Sequence, residues 1–157
     1  MQNLITNEQV ISLAFGDGEY VSPNVVHDSD IAAATYRYII PIVGEKLYEE
    51  MVEGSHRTLL SDYVAPALAM AVRTMIQPAL NVRTGQGGLV IPSSARADTS
   101  TRGVTNALHK SLRLRRQTLL RRLSDYLRSQ AAEFASYDVE GDIMQKCRIN
   151  GGYIQGC

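Results

Sequence analysis

The chain has 157 residues, 45% of them hydrophobic, and its 16 basic and 16 acidic side chains cancel. That length and apolar content describe one domain able to bury a core, and they exclude a chain that is disordered throughout. Cys147 and Cys157, both in a Gly-rich tail with no CxxC and no nearby histidine, read as two free thiols rather than a disulfide framework or a zinc site.

The neutral total hides a polarity. Residues 1–60 carry nine acids against Arg37, Lys46 and Arg57, a net of −6, whereas residues 94–130 carry nine bases against Asp98 and Asp125, a net of +7. Charge divided in this way is a partner signal, because the two ends suit opposite neighbours, other copies of the chain included. The start, MQNLITNEQV, lacks the basic region and apolar run of a secretory signal, and no apolar stretch approaches the ~20 residues of a bilayer span. The sequence therefore reads as made in a cytoplasm, without a membrane partner.

In chain order, Thr6 with Gln9 forms a capping box that opens a short helix over 7–15, ended by Gly16. Residues 16–28 read as a loop. Ser29 or Asp30 then caps a helix through IAAATYRYII, which Pro41 stops or kinks because a proline lacks the N–H and crowds the preceding turn. Gly44 restarts the chain into EKLYEEMVE, which ends at Gly54. From His56 to about Val82, Leu59, Leu60, Tyr63, Val64, Leu68, Val72, Met75 and Ile76 recur at spacings of three and four. Pro66 fits the first turn of that helix and Pro78 bends its last. ALAMAV, apolar almost all round, marks the most buried helix.

Residues 83–101 break the pattern. Gly85, Gly87 and Gly88 precede a short β-like run, Leu89, Val90 and Ile91, that reads as a protruding loop or small hairpin. The longest element follows over about 102–135, with Val104, Leu108, Leu112, Leu119, Leu123, Leu127 and Phe134 as its apolar stripe and the arginines on its remaining faces. The tail from Tyr137 has little periodicity and reads as loosely held unless a partner orders it. The expected fold is all-α: a four- to five-helix bundle over 1–136, with the 83–101 loop projecting and a contact tail over 137–157.

Catalytic constellations are missing from this reading. His27, His56 and His109 have no metal-ligand spacing, and Asp28 and Asp30 start a calcium-loop pattern that does not continue. TGQGG lacks the Lys-Ser/Thr of a phosphate loop. Glu45, Glu49, Glu50 and Glu53 fall at helical spacings as a solvated acidic face. No enzyme, cofactor or metal is expected. What remains is the segment RLRRQTLLRRL at 113–123, with Arg128 beyond it. Its leucines pack inward. Its arginines (Arg113, Arg115, Arg116, Arg121, Arg122 and Arg128) suit either nucleic-acid phosphates, bound without sequence reading, or carboxylates of an adjacent protein. No aromatics interleave for base stacking and no helix-turn-helix spacing is evident, yet a small DNA-binding or regulatory helical protein remains the alternative.

One block is more specific. Tyr38, Ile39, Pro41, Gly44, Leu47 and Tyr48, followed by Leu60, Tyr63, Pro66 and Leu68, resemble in type and order the small head–tail connector (adaptor) proteins of tailed bacteriophages. The likeness covers roughly residues 4–136 in element order. It implies a structural subunit of a homo-oligomeric ring, commonly a dodecamer, that docks under the portal protein in the virion. Such a ring extends the channel for genomic DNA toward the next connector or tail protein. On that reading the arginines meet either the DNA channel or the acidic face Glu45, Glu49, Glu50 and Glu53 of a neighbouring copy, and the 83–101 loop docks.

Overall fold

A computed structural model describes residues 2–16, 19, 21–80, 83–85, 88–90, 101–146, 148–150 and 153–155. Helix α1 (Asn7–Ala14) begins as its sequence dictates: Thr6 Oγ1 accepts the Gln9 amide at 3.3 Å and Gln9 Oε1 accepts the Thr6 amide at 2.8 Å. Helix α2 (Asp28–Ala34) starts earlier than a Ser29 or Asp30 cap requires. Asp30, already inside the first turn, reaches back to accept the His27 amide at 3.0 Å, so His27 holds the cap position.

Pro41 neither stops nor simply kinks this helix. The chain widens into a π-turn at Thr35–Ile39, in which the Ile40 amide bonds Thr35 O, and runs on as α3 (Ile40–Val43). The wider turn carries the proline ring clear of the carbonyl four residues back. The carbonyls that lose a partner belong to Tyr36 and Arg37, both exposed, so water can satisfy them. Gly44, at φ +80 and ψ 161, turns the chain into α4 (Glu45–Val52) through a conformation that only glycine adopts without strain.

The same device recurs. α5 (Arg57–Leu59) passes through a second π-turn, Leu60–Val64, into α6 (Ala65–Leu80), and the residues before its proline, Ser61 and Asp62, are again exposed. Pro66 therefore lies inside one continuous helix rather than in its first turn. That rod, Arg57–Leu80, is 24 residues long and apolar enough by composition to cross a bilayer, longer than the uninterrupted apolar runs of the sequence suggest. Most of it is buried inside the domain, where α6 packs against α1, α2 and α7 (Thr101–Ser129). Residues 67–72 are all buried, and their alternating alanines let neighbours approach while Leu68, Met70 and Val72 fill the gaps.

α7 ends at Ser129, six residues short of the sequence expectation, and Phe134 reaches the core from the turn beyond it. Leu112, Leu120, Leu123 and Leu127 are buried, whereas Val104 is 61% exposed: the first turns of α7 run past the core. Short ladders complete the described residues. β1 (Arg83–Gly85) pairs antiparallel with β2 (Gly88–Val90), Gly85 opposite Gly88, so the 83–101 segment contains a hairpin. β3 (Arg148–Asn150) pairs with β4 (Tyr153–Gln155). The class is all-α.

Residues 137–146 are not loose. Tyr137 and Asp142 are buried, and the Ile143 amide donates to Pro41 O at 3.0 Å. That carbonyl lies in the last turn of α3, where no intrahelical donor remains, so the tail completes a helix end.

Gly44→Ala forces a side chain into the positive-φ turn and should cost about 1–3 kcal/mol, read as a lowered urea midpoint. Gly103→Ala, in α7 with nothing within 4 Å of the added carbon, should be neutral or stabilise by up to about 1 kcal/mol.

Candidate functional site: a basic helix and an acidic ridge

Six of the arginines of α7, those from Arg113 to Arg128, divide into two sets. Arg116 is half-buried because it falls four residues after Leu112 and four before Leu120, on the face that packs. Its guanidinium lies 4.5 Å over the Tyr38 ring and donates to Tyr38 Oη at 3.0 Å. Arg122, at 4.7 Å, covers Tyr63, which stacks on Tyr126 at 3.9 Å. Arg128 donates to Gln145 Oε1 at 3.2 Å, tying the end of α7 to the tail. These three act within the subunit. Arg113, Arg115 and Arg121 are exposed and have no hydrogen-bond, ion-pair or ring partner among the described residues.

Tyr38 and Tyr63 occupy matching places, each three residues before a proline and inside a π-turn. An inserted residue turns the helix phase by about 100°. Both tyrosines thereby come under arginines of α7. The resemblance-derived turn residues are accordingly structural: Tyr38 underlies Arg116, Pro41 and Gly44 shape the chain, and the buried Tyr48 donates to Gln2 O at 2.7 Å. Burial raises the Tyr48 phenol above its ordinary pKa.

The acidic face also divides. Glu45, Glu49 and Glu53 are exposed along one side of α4, without hydrogen-bond or ion-pair partners among the described residues. They rim a groove of about 520 Å³ whose other walls are Gln2, Tyr36, Ile40, Tyr48 and Val52. Glu50 turns away. It accepts from the Ser136 hydroxyl and meets His56 Nε2 at 3.0 Å, while His56, at φ 55, caps α5 and packs edge-on against Phe134. The Ser136 hydrogen bond first, and His56 second, lower the Glu50 pKa. Glu50 is a tie between α4 and the turn after α7 and leaves the acidic face.

Two polar clusters have no counterpart in the sequence reading. Arg73, 5% exposed inside α6, donates to Ala14 O, to Glu19 Oε1 at 2.6 Å and to Gln77 Oε1 at 3.4 Å, with Phe15 4.4 Å beneath it. It closes the C-terminal end of α1. A lone charge directly after ALAMAV was the available signal. The Arg73 hydrogen bond, then the Gly16 amide, lower the Glu19 pKa. The second cluster centres on Asp142, 1% exposed, which accepts from Ser124 Oγ at 2.6 Å, Tyr137 Oη at 2.7 Å and the Met144 amide at 2.7 Å. Burial, and then Asp142, push the Tyr137 phenol upward. Nothing in the local pattern marks Asp142, because its partners come from a helix 18 residues back and from its own turn.

Of the docking-loop residues, Gly85, Gly88, Leu89 and Val90 form the hairpin backbone, while Gly87 and Ile91 lie outside the described residues. Cys147 and Cys157 lie outside them too. Among the described residues no three His, Cys, Asp or Glu side chains could hold a metal ion.

The division of the arginines has a direct readout. Arg116→Met should lower unfolding stability by about 1–2 kcal/mol through the lost cation–π and hydrogen-bond contacts. Arg113→Met and Arg121→Met should stay within about 0.5 kcal/mol of wild type by chemical denaturation. Acid titration checks the two carboxylate ties. Their folded pKa values lie below 4.5, so their contribution is complete above that value and is lost as pH falls through the folded pKa. Glu19→Gln and Glu50→Gln should therefore lower the urea midpoint at neutral pH, and the difference from wild type should shrink as pH falls below the ordinary carboxylate range.

No curated protein and no solved structure matches the chain. A family model described as a family of unknown function, DUF6712, matches residues 26–145. That span begins just before α2 and includes the turn that carries Tyr137 and Asp142. It covers about three quarters of the sequence, and the chain belongs to this family.

Proposed function

We propose that the chain is a structural, non-enzymatic subunit of a bacteriophage head–tail connector ring, built around a four- to five-helix bundle. It docks under the portal protein and extends the DNA channel toward the next connector or tail protein. The observation that carries the reading is the segregation of unpartnered charge: Arg113, Arg115 and Arg121 are exposed on α7, and Glu45, Glu49 and Glu53 are exposed on α4. In a ring each copy presents one face to the next, and a subunit acidic on one element and basic on another suits such heterologous contacts. The Tyr38–Tyr48 block supports the reading through its resemblance to connector proteins, and the β1–β2 hairpin is suited to reach a docking partner. The ring, commonly a dodecamer in such proteins, contacts passing DNA without sequence specificity, assembles in the bacterial host cytoplasm and resides at the head–tail interface of the virion. It needs no membrane and no cofactor.

Electron microscopy or native mass spectrometry of the chain with its cognate portal should show a ring seated on the portal. Failure to associate with portal-containing particles overturns the reading. Salt-dependent binding of the isolated chain to random duplex, lost in Arg121→Ala/Arg122→Ala, would replace it with the DNA-binding alternative.

A further inference from the structure

The groove beside α4 is both apolar and acidic. Tyr36, 71% exposed, and Ile40, Tyr48 and Val52 form its apolar surface, and Glu45, Glu49 and Glu53 follow one another at single-turn spacing along its rim. An occupant must therefore offer a hydrophobic knob flanked by cations. The chain carries that feature itself. Leu114 on α7 is 65% exposed, a large apolar side chain in a polar face, with Lys110 one turn before it, Arg121 two turns after it, and Arg113 and Arg115 beside it. All four cations are exposed. The two features also match in extent, since Glu45 to Glu53 covers about 12 Å of helix and Lys110 to Arg121 about 16 Å.

We infer that the α4 groove receives the Leu114 face of α7 from a second copy of this chain. Leu114 inserts against Tyr36, Ile40 and Val52, while Lys110, Arg113 and Arg121 meet Glu45, Glu49 and Glu53 around it. Apolar surface removed from water at the centre supplies affinity, and the charged rim sets orientation and excludes the reversed approach. Groove and knob are different surfaces of one subunit, so the contact is head-to-tail and propagates until it closes. The inference rests on the reading of the chain as a self-assembling subunit and names the surfaces that join.

The test uses the full chain in sedimentation velocity at low salt, up to about 1 mM, a concentration that reveals even a weak specific contact. Wild type should self-associate, and less so at high salt. Leu114→Asp, which removes the knob, and Glu49→Arg, which inverts the rim, both alter exposed positions, and each variant alone should be monomeric with an unchanged circular dichroism spectrum. Mixed, they should form a dimer that grows no further, because one retains its groove and the other its knob. A monomeric wild type, variants that associate as well as wild type, or a mixture that stays monomeric each overturns the contact. The ring reading is separated from it by portal binding: variants that still seat on portal particles refute this interface and leave the ring, whereas the capped dimer without portal binding does the reverse.

Discussion

Two of the prolines inside helices, Pro41 and Pro66, govern how this domain is put together. A proline in a regular α-helix deletes one hydrogen bond and collides with the carbonyl four residues earlier, at a cost of about 3 kcal/mol or more. Here the chain inserts one residue before each proline, at Thr35–Ile39 and at Leu60–Val64, and the helix continues. The insertion relieves the collision, leaves the spare carbonyls beside solvent, and changes which side chains face inward. Tyr38 and Tyr63 thereby become platforms for Arg116 and Arg122. The seating of α7 on the rest of the molecule depends on both.

The second constraint is that α6 is surrounded. Burying Leu68, Met70 and Val72 contributes about 1.5–3 kcal/mol each. The same enclosure puts Arg73 out of water, where an unpaired charge would cost several kcal/mol. Its guanidinium is therefore spent on three acceptors and an aromatic face, one acceptor being a carbonyl at the end of α1. Asp142 solves the same problem at the far end, with two hydroxyl donors and an amide around a carboxylate that is almost wholly enclosed. Together these clusters join the first helix and residues 137–146 to the core.

With those internal ties made, Arg113, Arg115 and Arg121 of α7 and Glu45, Glu49 and Glu53 along α4 are among the exposed charges without a partner among the described residues, and each set accompanies exposed apolar surface. An isolated soluble monomer gains little from a Leu at 65% exposure ringed by cations, or from a Tyr at 71% exposure beside an acidic rim. On the proposed reading the arrangement serves contact with another copy, where desolvated apolar centres and charged rims act together.

Much of this was open to a reader of the sequence. The Thr6 capping box, the turn at Gly44, the burial of ALAMAV, the hairpin near Gly88 and the leucine stripe of α7 follow from local chemistry: capping hydroxyls, positive φ, and a repeat of three to four residues. Arg116, expected among the outward arginines, was misplaced, although its spacing from Leu112 already puts it on the packed face. The π-turns were not, because local propensity cannot say that a helix passes through a proline; only packing on both sides makes continuation cheaper than a break. Nor could Glu50 be told from Glu49. Neighbours on one helix differ by about 100° of azimuth, and which of them meets Ser136 and His56 depends on a turn 86 residues away. The sequence alone determined the helical class, the buried helix and the separation of charge, because these are set by residue type and period. Tertiary structure alone decided which charges are used up inside the fold and which stay exposed, because that depends on distances between elements remote along the chain.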